Sequence, residues 1–274
     1  MTYLDNRPTV GRVLEHLGAV PTAVLAKFDP PEYPLLGIML DDAIAEVEDI
    51  CATSFNARQV VELYDGNTTN QVVLRKRPAL QAFQVKVVTP ILGYTRVYNQ
   101  DEIKLYRKQG ALKVFTYKLA VEQALLQTVD YQAWGSLFPP LPQAVHIDYA
   151  YGYAQYDPDA DKTTTNGGQD VTVTDPNSNI TVTYSSVEDG DTRDPELLNW
   201  LRNLQQAAAY IAASNFLGHA APLAVGLAQS VAFDGYSRAM NPAAFITQSQ
   251  ELRAKADLLL KRRRRQFAMA TLGQ

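Results

Sequence analysis

The chain has 274 residues, 46% hydrophobic and 20% charged, which is enough apolar content for one large core or two small ones and excludes a wholly disordered chain. Its formal net charge of −4 gives no global attraction to phosphate backbones or anionic membranes, so any nucleic-acid contact has to be local. Asp5 and Asn6 stand where a secretory signal needs its apolar segment, and no apolar run approaches the ~18 residues of a membrane span. A protein without membrane contact is expected.

Residues 1–38 hold Pro8, Pro21, Pro30, Pro31 and Pro34, which interrupt any helix longer than a short one at about 9–17 and predict an extended arm. In 41–55, Ile44, Val47, Cys51 and Phe55 follow the spacing of one helix face while acids at 41, 42, 46, 48 and 49 crowd the other. This acidic helix opens the folded region. Cys51, the single cysteine, cannot form an internal disulfide, and its position on the apolar face predicts a buried free thiol.

The period then drops from 3.6 to 2. Segments 59–64 and 71–74 flank Asp65-Gly66-Asn67 and read as a β-hairpin. Phe83, Val85 and Val87 alternate with Gln84 and Lys86, and further strands are expected at 94–98, 103–107, 111–117 and 145–150, together a small antiparallel sheet. Residues 118–127 read as a short helix, and WGSLFPPLPQ after it as a loop exposing Trp134 and Phe138. In 154–193, rich in Asp, Thr, Asn and Gly, DVTVT and ITVTYS alternate around DPNSN and predict one inserted, protruding hairpin.

Asp194-Pro195-Glu196 is a helix start, with a side-chain acceptor at the cap, proline in the first turn and an acid at the positive helix end. Leu197, Leu201, Leu204, Ala208 and Ile211 form a stripe that Trp200, Ala207 and Tyr210 widen, predicting a mostly buried helix ended by Gly218. A second start, Asn241-Pro242, leads through Phe245 and Leu252 into a long helix ending in Lys261, Arg262, Arg263, Arg264 and Arg265. The expected fold is α+β: a helical bundle with a small antiparallel sheet and an inserted β-hairpin. Its divisions are an arm at 1–38 and a domain at 39–274 with insertions at about 118–144 and 154–193.

No catalytic constellation emerges. His16, His146 and His219 lie far apart without HExxH or CxxC, so no zinc site is expected, and GxxxxGK[ST], GxGxxG and GxSxG are all missing. Asp157, Asp159 and Asp161 imitate the start of a calcium loop, but Lys162 takes the glycine position and Gly168 that of the closing glutamate. No cofactor or metal is expected. Asp41 and Asp42 lie side by side on a helix rather than across a pocket, which favours a solvated face over acid–base chemistry. The four arginines circle their helix as a positive collar that complements the negative helix end, and three readings stay open: a solvated terminus, an acidic partner subunit, or DNA.

The order of these elements resembles the head–tail connector, or head-completion adaptor, proteins of tailed bacteriophages. The acidic helix leads into VVELYDG and then VVLRKRPALQAFQVKVV, where a basic-proline turn precedes an alternating strand. VHIDYAYGYA is similar to the family's strand ending in an aromatic-glycine pair, here Tyr151-Gly152-Tyr153. DPELLNWL follows, and AQSVAFDGYSRAM resembles the segment before the family's terminal helix. The resemblance covers about 40–117, 145–153 and 194–265. It implies a helix bundle with a small β-structure and a homo-oligomeric ring, commonly of about twelve copies, whose heterologous interfaces need two different faces per subunit. It also implies a place in the virion neck, with assembly in the host cytoplasm. The ring sits between the portal and the tail or neck proteins, and DNA passes through its lumen without sequence specificity.

On this resemblance Lys261, Arg262, Arg263, Arg264 and Arg265 are candidate portal-binding residues, because the family's C-terminal segment often reaches the portal. Asp41, Asp42, Glu46, Trp134 and Phe138 are candidates for a subunit or tail interface, with the acidic first and basic last helices as complementary faces. The alternatives are a tail-terminator or tail-completion subunit, and an enzyme or carbohydrate-binding module in which Trp134, Phe138 and the tyrosines at 149, 151, 153 and 156 stack on sugars.

Overall fold

Thr9 is extended and the chain turns helical directly after it, so the short helix expected there forms as α1 (Val10–His16), with Val13 buried. The computed structural model describes residues 6–17, 33–89, 94–98, 102–106, 109–115, 138–153, 171–174, 181–184, 195–228 and 242–272, with backbone alone at 89, 94, 171–174, 181–184, 195–198, 222–228, 242 and 262–272. The expected helix at 118–127, Trp134 and the calcium-like aspartates at 157–161 lie outside the described residues.

The acidic helix, α2 (Pro34–Cys51), begins at Pro34 rather than Asp41. Proline is tolerated in the first turn, where its missing N–H has no intrahelical partner to lose, and Leu36 and Leu40 carry the apolar stripe back to it. Residues 34–38 of the expected arm are therefore helical. The helix stops at Cys51 instead of Phe55 because Ala52 turns left-handed, with φ of 47°.

The chain divides into two compact units: a helical one of 7–51 and 199–272, and a β-rich one of 52–198 with the segments 1–6 and 273–274. In the helical unit α2 packs against α1 and against α4 (Pro242–Leu272), which starts at the expected proline. Between them in sequence comes α3 (Pro195–Ala228). It does not end at Gly218. A glycine costs only about 1 kcal/mol in a helix interior, and the buried stripe continues past it through Ala220 and Ala221. The α3–α4 contact includes a reciprocal pair: Ser214 Oγ donates to the Ser249 carbonyl and Ser249 Oγ to the Ser214 carbonyl, each at 2.9 Å. Helix α1 is tied to α3 by Arg12 Nη1 donating to Gln205 Oε1 at 2.9 Å, and to α4 by Gln248 Nε2 donating to the His16 carbonyl at 3.2 Å.

The β-rich unit contains β1 (Arg58–Tyr64), β2 (Gln71–Val73), β3 (Ala79–Thr89), β4 (Tyr94–Tyr98), β5 (Ile103–Tyr106), β6 (Ala111–Val114), β7 (Val145–Tyr151), β8 (Val171–Thr174) and β9 (Thr181–Tyr184). All described pairings are antiparallel, in the orders β1-β7-β3-β4, β2-β6-β5 and β8-β9. The one small sheet expected is thus two, and they share a core in which Val72, Leu112 and Val114 join Val85, Val145, Ile147 and Tyr149. The class is α+β, and the inserted hairpin pairs Val171 with Tyr184 through Thr174 with Thr181.

The hairpin expected from 59–64 and 71–74 does not form, because β1 pairs with β7 and β2 with β6. Their connection is stitched to another segment instead. Gly66 N–H donates to the Leu141 carbonyl at 3.0 Å, Thr68 N–H to the Phe138 carbonyl at 2.9 Å, and Phe138 N–H to the Thr69 carbonyl at 2.7 Å. At Gly66 a Cβ would stand 1.5 Å from the Pro139 carbonyl oxygen, so only glycine permits this approach. Among the described residues no helix is long and apolar enough to cross a membrane.

Candidate docking surfaces

The turn between β2 and β3 carries Arg75, Lys76 and Arg77 before Pro78, and its backbone is anchored at four successive N–H groups. Leu74 donates to the Gly110 carbonyl at 2.7 Å, Arg75 to Tyr64 Oη at 2.9 Å, Lys76 to Tyr149 Oη at 3.2 Å and Arg77 to the Ala52 carbonyl at 3.0 Å. Both tyrosine hydroxyls in turn donate to one carboxylate oxygen, Glu62 Oε2, Tyr149 at 2.8 Å and Tyr64 closer still. Burial raises both phenols well above their ordinary range, with Glu62 adding to the effect, so they stay protonated donors.

Above this anchor the Arg75 guanidinium lies 5.0 Å from the Tyr64 ring centroid and the Lys76 ammonium 4.9 Å from that of Tyr151. Arg77 is buried, donates through Nε to the Leu74 carbonyl at 3.1 Å, and is packed where a Cβ on Gly110 would meet it at 2.7 Å. Desolvation lowers its pKa from the usual arginine value. The basic-proline turn is visible in the sequence, but Glu62 was missed as its anchor. The available signal is its i, i−2 spacing to Tyr64 on a strand, which puts carboxylate and phenol on one face.

Asp41 and Asp42 are exposed on α2, as a solvated face requires. Glu46 is half-buried and engaged within the chain: Arg253 Nη1 donates to Oε2 at 3.2 Å and Nη2 to Oε1. Arg253 also lies 4.0 Å from Asp257, and its pKa is raised, first by the Glu46 hydrogen bond. The acidic and basic helices therefore meet inside one chain at this pair. Lys261 is exposed, and Arg262, Arg263, Arg264 and Arg265 continue the α4 backbone, their side chains lying outside the described residues.

Phe138, expected as an exposed aromatic, is fully buried in the shared core. The proline-flanked segment looked like a solvent loop, but pairing with Thr68 and Thr69 turns its ring inward. Tyr149, Tyr151 and Tyr153 are buried too, so these rings present no platform for a sugar. Cys51 is a buried free thiol, as its spacing predicts. Among the described residues no three His, Cys, Asp or Glu side chains gather as metal ligands.

Two surfaces of opposite sign remain. On the outer face of the three-stranded sheet, Gln71, Lys113 and Lys104 form one cross-strand row, and Val73, Ala111 and Tyr106 form the next. Lys104 Nζ lies 5.5 Å from the Tyr106 ring centroid and Lys113 Nζ 5.3 Å from that of Phe115. The exposed residues of α2 beyond Pro34 are Ile38, Asp41, Asp42, Ala45 and Asp49, a single helical stripe.

No protein-family model matches the chain, and no curated protein matches it. A solved structure described as the virion of a native gene transfer agent (GTA) particle is similar over 90% of this chain and 91% of that one, at 13% identity and a TM-score of 0.36. A likeness of that size carries no argument about this chain's function.

Proposed function

We propose that this protein is a structural subunit of a tailed-phage virion, a head–tail connector that forms a ring between portal and tail with DNA passing through its lumen, and that it is not an enzyme. The observation that carries this reading is the meeting of two of the motifs whose order makes the resemblance. The basic-proline turn and the Tyr151-Gly152-Tyr153 segment lie far apart in sequence, yet Gly152 N–H donates to the Pro78 carbonyl at 2.9 Å and Tyr151 pairs with Ala79. Gly152 is required there: its φ is 102°, and a Cβ would stand 2.5 Å from the Asn56 carbonyl oxygen. The order around this joint also fits, with an acidic helix before the β-structure and two long helices after it.

In this reading Lys261, Arg262, Arg263, Arg264 and Arg265 face the portal, where arginine forks pair with carboxylates. The test is negative-stain imaging of the purified protein mixed with the portal protein of the same phage. A ring added beneath the portal is expected, and portals that stay bare at every ratio overturn the reading. Changing all four arginines to Gln should weaken docking, whereas a loss confined to DNA retention would assign them to the lumen.

A further inference from the structure

We infer that the outer face of the three-stranded sheet, around Lys104 and Lys113, is the docking surface for the acidic outer stripe of α2 in a second copy of this chain. The inference deepens the proposed ring, on which it rests for copies lying side by side, by naming the two faces that touch.

Lys104 and Lys113 are direct cross-strand partners on one sheet face, an arrangement in which like charges repel. Their other cross-strand neighbour is the neutral Gln71, and among the described residues no carboxylate forms an ion pair with either lysine. Each ammonium instead rests near an aromatic ring two residues on, Tyr106 or Phe115, which attracts it without neutralising it. Such a row is stable when an anion comes from outside.

The same chain displays the complement. Asp41, Asp42 and Asp49 are exposed on α2 with no ion pair among the described residues, and the contact of α2 with the basic α4 includes Glu46, which pairs with Arg253. Apolar complementarity accompanies the charge. Ile38 is 60% exposed one turn from Asp41 and Asp42, and the half-buried Val73 and Tyr106, either side of the buried Ala111, form an apolar row one step from the lysines. A phosphodiester backbone would satisfy the lysines but offers nothing to that apolar row, which favours the helix stripe over nucleic acid. The two faces differ, so the contact is heterologous and can propagate from copy to copy.

The test uses the full chain and charge reversal in two variants, Lys104→Glu with Lys113→Glu, and Asp41→Lys with Asp42→Lys. Sedimentation velocity at low and high salt should show the unaltered protein associating at low salt and dissociating as salt rises. Each variant alone should associate more weakly by on the order of tenfold or more, and an equimolar mixture of the two should recover association, because each supplies the charge the other needs. Lys104→Gln with Lys113→Gln, which removes charge without reversing it, guards against misfolding and should give a smaller loss. An unaltered protein that stays monomeric at low salt, a lysine reversal without effect, or a mixture that fails to recover would each overturn the inference. So would a lysine reversal that abolishes binding of a labelled DNA duplex while self-association is unchanged. If the mixture recovers association but portals stay bare, the connector reading fails and this contact stands; if portals are extended and the reversal is silent, the opposite holds.

Discussion

Tyr64 and Tyr149, on neighbouring strands β1 and β7, donate to the same carboxylate oxygen of Glu62 and accept the N–H groups of consecutive residues, Arg75 and Lys76. The turn is therefore held by a branched chain of hydrogen bonds with a single acidic root. Tyr149→Phe leaves the Lys76 N–H without its acceptor in a partly buried site and should cost about 1–3 kcal/mol in urea unfolding. Tyr64→Phe should cost a similar amount. Because both hydroxyls donate to Glu62 and either one remains when the other is removed, the double variant should lose more than the sum, and strict additivity would show that the two branches act independently.

Two glycines should respond to alanine with opposite signs. At Gly66 the added methyl collides with the Pro139 backbone, and Gly66→Ala should destabilise by more than about 3 kcal/mol or prevent folding. At Gly218, inside α3, the nearest atom to an added Cβ is Ser249 Oγ at 3.9 Å, an ordinary contact, so Gly218→Ala should stabilise by about 0.5–1 kcal/mol. Thermal unfolding of the two variants against the parent decides both.

Acid should loosen the helical unit through His16. Its ring packs against that of Tyr210 in a tilted arrangement, at a centroid distance of 4.5 Å, and its buried Nε2 makes no hydrogen bond. Burial lowers its pKa from the ordinary 6.5, opposed by Glu15 and assisted by Arg12 and Lys255. A base with a lowered folded pKa binds protons more readily unfolded, so stability is intact above pH 6.5 and falls as the pH drops from there towards the folded pKa. His16→Gln should flatten the dependence of melting temperature on pH in that window. An unchanged slope would assign it to other groups.

The pair between Glu46 and Arg253 joins α2 to α4, but both side chains keep about a third of their surface in water, 34% and 38%. Solvent screens such a pair, so Glu46→Gln should change stability by less than about 1 kcal/mol despite the two-pronged contact. A loss of more than about 3 kcal/mol in chemical unfolding would mean that the carboxylate is effectively desolvated.

What could be read from the sequence was whatever short-range chemistry determines. Pro195 and Pro242 mark both long helices, because proline suits the first turn and little else in a helix. The strict alternation of VTVT and TVTY foretold the hairpin of β8 and β9. Long-range partnerships left no such mark. The segments at 59–64 and 71–74 have the local pattern of a hairpin, and only the stitching of Gly66 and Thr68 to residues beyond 137 sends them to different sheets. Phe138 looked exposed for the same reason. Among the candidate site residues, Asp41, Asp42 and Lys261 are exposed as the charge pattern suggests, but Glu46 is joined to an arginine 207 residues away, a distance no periodicity reports.

The division of the chain also sets an order of events at the ribosome. Residues 52–198 form one uninterrupted stretch, and every described strand of the β-rich unit lies within it, so that unit can complete its sheets as soon as it has emerged. The helical unit cannot. Helices α1 and α2 are made before the β-rich unit, and α4, against which α2 packs, is made after it. Until then the stripe of Leu36, Leu40, Ile44 and Val47 lacks that partner and is a surface to which other nascent copies or chaperones can bind. The closing step is a long-range contact reached only after the β-rich unit has been made, so agents that slow synthesis of 199–272 should lengthen the aggregation-prone interval more than agents that slow synthesis of 7–51.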